Sequence, residues 1–177
     1  MMHLDNGFYK ITLTADSHFD LEKDHPEYQY VLNPDNYQPD ENYVVCRIEV
    51  TSQDSTYTAA LIGPIETDFS DLAVLKENTL YVLMGRSITE IDLRRPDTCI
   101  FHQIDPDGYT HGIFAHEDQY LIYSAYAVLC LDSTFREQWI FSVDAPITVF
   151  RITDTRIELV DEDDNRHYVG FDGRRRN

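Results

Sequence analysis

Residues 118–139, "DQYLIYSAYAVLCLDSTFREQW", contain the pattern that decides the fold. Two short runs rich in Tyr, Leu, Ile and Val stand on either side of a tight turn, and such runs predict β-strands. The second run ends at Leu131 and Asp132, a polar turn follows, and Trp139 opens a third run. The stretch therefore predicts three short antiparallel strands joined by turns.

The same order of strands and turns occurs 40 residues earlier in the chain. Residues 69–106 align with residues 109–146 at an offset of 40 residues and without a gap. The aligned identities are Glu77/Glu117, Asp92/Asp132, Ile100/Ile140, Phe101/Phe141 and Pro106/Pro146. Apolar positions match more often than identities do, which predicts a repeated unit of about four strands.

Weaker copies flank the two clear ones. Residues 147–173 repeat the pattern with a longer acidic turn, and this copy is predicted to lack a fourth strand. Residues 56–64, "TYTAALIGP", resemble the last strand of each clear copy and are predicted to precede the first full unit. The repeat therefore covers about two to three units.

The repeated unit resembles the blades of quinoprotein-type and WD-like β-propellers. Leu131, Asp132 and Trp139 carry the resemblance, which extends over roughly residues 56–173. Two departures are visible: residues 133–135 replace the usual Thr-Gly turn, and Cys99 occupies the place of the tryptophan in the other copy. The resemblance implies the geometry of a blade with a docking tryptophan, and no cofactor.

Propellers use about four to eight blades, so two to three units do not close a ring. We expect an all-β chain of antiparallel, propeller-like repeats of about 40 residues. They would form a partial propeller or stacked sheets, with a β-sandwich as the alternative and a ring closed by two chains as a further one. A single domain over residues 1–177 is predicted, with N-terminal strands in residues 1–55 and the repeats in residues 56–173.

The N-terminal strands, residues 7–14 and 43–50, are separated by a long connection, residues 15–42, which we call the acidic segment. It contains eight acidic residues and one lysine, a net charge of −7. Connections this long are usually functional or flexible. We predict a surface that binds a basic protein; the alternative is a solvated loop whose tyrosines pack over the sheet edge. The predicted contact residues are Asp16, Asp20, Glu22, Asp24, Glu27, Tyr28, Tyr30, Asp35, Tyr37, Asp40 and Glu41.

The net charge of the whole chain, −18, limits the class of partner. Binding to nucleic acid requires Lys and Arg side chains that displace counterions from phosphates, so nucleic acid is not an expected partner. An anionic membrane surface is not expected for the same reason. A basic protein or a cation is favoured electrostatically.

The N-terminus lacks the basic and apolar regions of a signal peptide, and no apolar run approaches the about 18 residues that cross a bilayer. A cytoplasmic location is therefore predicted. Cys46, Cys99 and Cys130 each lie in an apolar run, which favours buried, reduced thiols over disulfides.

No familiar catalytic motif is present: the sequence has no GxSxG, HExxH, phosphate loop, dinucleotide fingerprint or CxxC. His111 and His116 form a small cluster with Glu117, but residues five apart on a strand face opposite sides. "DEDDN", residues 161–165, lacks the glycine and distal glutamate of a calcium loop. His18 and His25 flank a short acidic run in the acidic segment. Asp92, Asp132 and Asp172 recur after strands and are predicted to form Asx-turns.

These observations predict a non-catalytic intracellular module that binds a basic protein and carries no metal or cofactor. Its most specific form is an immunity protein that inhibits a bacterial toxin. Two alternatives stay open. One is a ligand- or metal-binding protein or hydrolase with a site around His111 and His116. The other is a structural repeat unit that assembles into a homo-oligomer.

Overall fold

Four β-sheets, with seventeen strands and no helix, make up the part of the chain that the computed structural model describes, residues 1–64 and 71–176. No helix in these residues is long and apolar enough to cross a lipid bilayer. Residues 69 and 70, which begin the first clear repeat copy in the sequence, lie outside the described residues. The contacts divide the chain into two compact units, Met1–Gln103 and Ile104–Asn177.

The first sheet contains five strands in the order β1-β2-β4-β5-β3. They are β1 Met2–Asp5, β2 Lys10–Ala15, β3 Tyr30–Leu32, β4 Val44–Thr51 and β5 Thr56–Gly63. Strands β1, β2, β4 and β5 form an antiparallel meander, and the short β3 pairs in parallel with β5. The acidic segment connects β2 to β4 and contributes β3.

The second sheet, in the same unit, is an antiparallel meander that matches the first clear repeat copy. Its strands are β6 Ala73–Lys76, β7 Thr79–Met84, β8 Ser87–Asp92 and β9 Cys99–Gln103. The hydroxyl of Tyr57, on β5, donates to the carbonyl of Leu93 at 3.0 Å and joins the two sheets. Gly63 allows a close approach, since a Cβ there would lie 2.8 Å from Cε of Met84.

The second unit contains two further four-stranded meanders. The third sheet consists of β10 Thr110–His116, β11 Gln119–Ser124, β12 Ala127–Leu131 and β13 Glu137–Ser142. The fourth sheet consists of β14 Ile147–Ile152, β15 Ile157–Asp161, β16 Arg166–Val169 and β17 Arg175–Arg176. Their shared core is formed by Leu121, Val128, Cys130, Val143, Ile147, Ile157, Leu159 and Val169.

The offset of 40 residues is confirmed by where equivalent strands begin. Strand β7 begins at Thr79 and β11 at Gln119, and strand β8 begins at Ser87 and β12 at Ala127. The repeats predicted for residues 56–173 correspond to three four-stranded sheets in the described residues. The sequence did not predict that β1, β2, β4 and β5 form a further blade-like meander before them. The prediction that the last copy lacks a fourth strand was wrong, because β17 pairs with β16 through backbone groups.

The prediction of one domain over residues 1–177 stays a prediction. The boundary expected after residue 55 does not follow the sheets, because β5 belongs to the N-terminal meander. The resemblance of residues 56–64 to a fourth strand is confirmed in that setting, since β5 is the fourth strand of the first meander.

Trp139 docks as the resemblance implied. Its Nε1–H donates to the carbonyl of Phe171 at 3.0 Å, in the turn between β16 and β17. Gly173, in the same turn, has a φ of +76°, and a Cβ there would lie 2.7 Å from Cγ of the indole. The tryptophan of the third sheet is therefore packed against a turn of the fourth.

The cysteines are free thiols. Cys46 and Cys130 are buried, as predicted, whereas Cys99 is only partly buried. Burial raises the pKa of the Cys46 thiol to about 12 and that of Cys130 to about 11. Thiols so placed are protonated at neutral pH and act as packing side chains.

Candidate protein-docking surface

The acidic segment is folded onto one face of the first sheet. The strand register places Val45 and Ile62 side by side, with Ala60 on the same face, and all three side chains are buried. Tyr28 packs on them, and partly buried apolar side chains of the segment surround it. Because apolar area on both sides is removed from water, the segment has an anchored underside.

Tyr28 is the centre of this anchor. Its side chain is 6% exposed, its ring meets Phe19 edge-on with centroids 5.6 Å apart, and the guanidinium of Arg47 lies 5.3 Å from its centroid. Its hydroxyl donates to Oδ2 of Asp16 at 2.5 Å. Burial, followed by this hydrogen bond, raises the pKa of Tyr28 to about 12. Tyr28 was predicted to be a surface contact, and the structure corrects this by placing it in the core.

The other two predicted tyrosines are half-buried. Tyr30, on β3, meets the ring of Tyr57 edge-on with centroids 5.4 Å apart. Tyr37 lies 6.3 Å from the ring of Tyr43, and its backbone N–H donates to Oδ1 of Asn33. The aromatic side chains therefore follow the alternative that the sequence left open, with the rings packed over the sheet.

Four of the predicted acidic residues make contacts inside the segment. Burial opposes ionisation of Asp16, but hydrogen bonds from Tyr28 and from the His18 N–H outweigh it and lower its pKa. The Nζ of Lys23 lies 2.7 Å from Asp20 and lowers the pKa of that carboxyl. Glu27 contacts His25, and Glu41 accepts the N–H of Gln38 at 2.6 Å. These carboxylates stabilise the turns of the segment.

The remaining four acidic residues, Glu22, Asp24, Asp35 and Asp40, are exposed. Their carboxylates make no hydrogen bond or ion pair with any other residue in ranges 1–64 and 71–176. We call them the outward carboxylates. They combine an ordered backbone with unpaired negative charge at the surface.

His25 is a pH-sensitive contact that was noted in the sequence only as one of two flanking histidines. Its ring stacks on Phe19 with centroids 4.0 Å apart, and its Nε2 lies 2.8 Å from the carbonyl oxygen of Asp20. Its Nδ1 lies 3.0 Å from Oε1 of Glu27. The carbonyl of Asp20 first, and Glu27 second, raise the pKa of His25 above its ordinary value of 6.5.

We expect protonated His25 to stabilise the fold of the acidic segment through its contacts with the carbonyl of Asp20 and with Glu27. Since its folded-state pKa is raised, its stabilising contribution is complete below the unfolded value of about 6.5 and is lost as pH rises through the folded value. An NMR pH titration of the His25 ring will give a pKa above the ordinary one, and Glu27→Gln will move it part of the way back. A His25 pKa at or below the ordinary value would show that these contacts do not stabilise the imidazolium.

The other candidate sites are packing and turn features. Strand β10 has a β-bulge between Thr110 and Gly112. The ring of His111 lies 5.5 Å from the ring of Tyr123, and Tyr123 is on the same face of the sheet as His116. The expectation that His111 and His116 face opposite sides assumed a regular strand without this bulge. His116 stacks on Phe171 with centroids 3.6 Å apart. Across residues 1–64 and 71–176, no three His, Cys, Asp or Glu side chains are grouped to hold a metal ion.

The acidic run that begins at Asp161 is a hairpin turn. Asp161 is buried, and it accepts the N–H groups of Asp163 and Asn165 and Nε2 of His167 at 2.8 Å. The bond from His167 lowers the pKa of Asp161. This His–Asp contact was not found from the sequence, where the two residues are separated by the turn.

The predicted Asx-turns are confirmed. Oδ1 of Asp92, Asp132 and Asp172 each accepts the N–H of the residue two positions later. Their carboxylates therefore have a local role in ending strands.

Antiparallel four-stranded meanders that recur along the chain, with a tryptophan docked on the next sheet, define an all-β protein of the propeller class, here a partial propeller. Solved structures support this assignment. BamB from Moraxella catarrhalis is 15% identical, with 79% of this chain and 47% of that chain covered and a TM-score of 0.54. The computationally designed Ika8 protein is 13% identical, with 79% and 46% covered and a TM-score of 0.53.

A structure of S. cerevisiae Dbp5 bound to Nup159 also matches, at 11% identity and a TM-score of 0.51, with 96% of this chain and 49% of that chain covered. The chain thus spans about half the length of the structures it matches. At these identities the similarity shows the fold alone. No protein-family model and no curated protein matches the sequence.

Proposed function

We propose that this chain is a non-catalytic protein-binding module whose acidic segment docks a basic polypeptide. The observation that carries the proposal is that one face of the segment is buried against the sheet while the other face presents exposed carboxylates. Its aromatic underside is anchored through Tyr28, while Glu22, Asp24, Asp35 and Asp40 are exposed without a partner in the described chain. Only the outward carboxylates, and not the tyrosines, are proposed as contacts.

Physical chemistry favours this use of the segment. A segment that is already ordered loses little conformational freedom on binding, which lowers the cost of association. The net charge of −18 attracts a basic partner over long distances, and unpaired carboxylates can then form ion pairs with it. Because the charge is spread along an anchored loop, the ion pairs would select a partner with matching spacing.

A more specific proposal is an immunity protein that inhibits a toxin with a basic cleft, in the cytoplasm. It rests on the same charge and on analogy with inhibitors of enzymes that act on nucleic acid. One of the structures with this fold is that of Dbp5 bound to Nup159, so the fold occurs in at least one protein assembly.

The test compares two variants with the same change in net charge. The site variant carries Glu22→Gln, Asp24→Asn, Asp35→Asn and Asp40→Asn. The control variant neutralises four exposed acidic residues of the second unit: Glu137→Gln, Asp144→Asn, Asp154→Asn and Asp163→Asn. Binding of a nona-arginine peptide is measured by calorimetry at low and at high salt.

We expect the site variant to bind the peptide about tenfold more weakly, because each exposed ion pair contributes about 0.2–1 kcal/mol. The control variant should bind the peptide no more than about threefold more weakly than the wild type. Raising the salt concentration should weaken peptide binding most in the wild type. Equal losses in the two variants would show that overall charge, and not the acidic segment, attracts the peptide.

Self-assembly is the second candidate, because the chain spans about half the length of the solved structures that share its fold. Two copies would bring eight blade-like sheets together, within the range of about four to eight blades that propellers use. Sedimentation velocity across a wide range of concentrations tests this. A monomer at every concentration would remove the candidate.

A further inference from the structure

A cavity lies at the opposite end of the first sheet from the acidic segment. Strand β2 runs from one end to the other, with the β1–β2 turn at its start and the acidic segment at its finish. The β1–β2 turn, the β4–β5 turn and the β6–β7 turn line an open cavity with a volume of about 340 Å³. Phe8, Tyr9, Asp54 and Glu77 line it. All four belong to the first compact unit.

Asn6 connects two of the three turns around the cavity. Its Oδ1 accepts the N–H groups of Phe8 at 3.1 Å and Tyr9 at 2.9 Å, which shapes the β1–β2 turn. Its Nδ2 donates to the carbonyl of Glu77 at 2.6 Å and ties that turn to the second sheet. Glu77 itself has a left-handed backbone with a φ of +53°. Phe8, Tyr9 and Glu77 therefore lie on two turns that Asn6 joins.

Two kinds of side chain with opposite preferences meet at this cavity. The ring of Phe8 is 76% exposed, although an apolar side chain of this size gains from burial. Asp54 and Glu77 are exposed, and their carboxylates contact no other side chain in the described part of the sequence. A guanidinium suits both groups at once, because its face stacks on an aromatic ring and the N–H groups at its edge donate hydrogen bonds to carboxylates.

We infer that this cavity binds an arginine side chain of a basic polypeptide; the polypeptide nature of the ligand rests on the proposed function. A volume of about 340 Å³ accommodates one such side chain. The arginine plane would lie on the ring of Phe8, with its N–H groups directed to Asp54 and Glu77. The negative field of the chain adds to the attraction of a cation. The cavity is thus a second contact point, separate from the outward carboxylates.

The test uses N-acetyl-arginine amide as the probe and N-acetyl-citrulline amide, its uncharged isostere, as the matched ligand. Each is titrated into the full chain labelled with ¹⁵N, and the amide signals of Gly7, Phe8 and Asn78 are followed. We expect saturable shifts at these amides with the arginine probe and none with the citrulline probe.

Variants assign the binding energy to the side chains. Asp54→Asn combined with Glu77→Gln should weaken probe binding about fivefold or more, since it removes both charges. Phe8→Ala should weaken it about two- to fivefold through loss of the aromatic face. The turn hydrogen bonds involve backbone atoms of Phe8, Asp54 and Glu77, so the turns should persist in these variants. Unchanged amide signals in the rest of the chain would verify this. Glu137→Gln with Asp144→Asn, two exposed acidic residues of the second unit, is the matched control and should leave probe binding unchanged.

The outcomes separate this site from the proposed function. Shifts that are absent with arginine, or equal with citrulline, would overturn the cavity site and leave the test of the acidic segment unaffected. Probe binding that is not weakened by the paired Asp54 and Glu77 change would also overturn it. Saturable, charge-dependent shifts would support the cavity even if the site variant of the acidic segment bound the nona-arginine peptide as tightly as the wild type.

Discussion

Replacing Tyr28 with alanine will detach the acidic segment and lower the free energy of unfolding by about 3–5 kcal/mol, the usual cost of removing a buried aromatic side chain. Tyr28 is 6% exposed and packs on Val45, Ala60 and Ile62. The change also takes the hydroxyl donor from Asp16. Urea unfolding followed by circular dichroism measures the global effect. Trypsin cleavage after Lys23 measures the local one and should accelerate about a hundredfold.

Two further variants make this prediction specific. Tyr28→Phe keeps the ring and removes the hydroxyl, so it should cost about 1–3 kcal/mol and let the pKa of Asp16 rise. Tyr109→Ala removes a tyrosine that is 86% exposed and should cost almost nothing. If Tyr28→Ala were as mild as Tyr109→Ala, and cleavage after Lys23 were unchanged, the segment would not be anchored by Tyr28.

Replacing Trp139 with alanine will destabilise the second unit by about 2–4 kcal/mol, less than the full cost for a buried tryptophan because its side chain is only partly buried. The indole packs on the core shared by the third and fourth sheets and donates to the carbonyl of Phe171 at 3.0 Å. The variant loses both the contact area and that hydrogen bond. Because Trp139 is the only tryptophan, unfolding of this variant is followed by far-ultraviolet circular dichroism.

The control for Trp139 lies beside it on β13. Ile140 is 42% exposed, so Ile140→Ala should cost about 1 kcal/mol or less. Gly173→Ala approaches the same contact from the other side, since its new Cβ would lie 2.7 Å from the indole in a backbone conformation with a φ of +76°. It should destabilise the unit while Ile140→Ala does not. Equal effects of Trp139→Ala and Ile140→Ala would contradict the docking role.

The middle of the fold could be predicted because its strands recur at a constant spacing, as β8 and β12 do. The first meander was missed because the acidic segment interrupts it between its second and third strands. The last strand, β17, was missed because it consists of Arg175 and Arg176, and a backbone ladder leaves no apolar pattern in so short a strand. Local periodicity reports strands that bury side chains and not those that only pair backbone groups.

The charge of the candidate surface was evident in the sequence, but the direction of its side chains was not. Tyr28 is buried against Val45, Ala60 and Ile62, and these residues are distant from it in the sequence and meet it only after the chain has folded. The cavity at the other end of the sheet was missed because it combines three turns that are far apart in sequence. One local signal was present, the Asp-Asn-Gly-Phe turn that holds Phe8 at its tip.

Hydrogen exchange of the chain with and without the nona-arginine peptide tests the docking role of the acidic segment most directly. We predict slower exchange in the peptides that span residues 20–41, and no such slowing in the variant that lacks the four outward carboxylates. The control variant in the second unit should retain the protection. Exchange in residues 20–41 that is unchanged while the peptide is bound would contradict the proposed function.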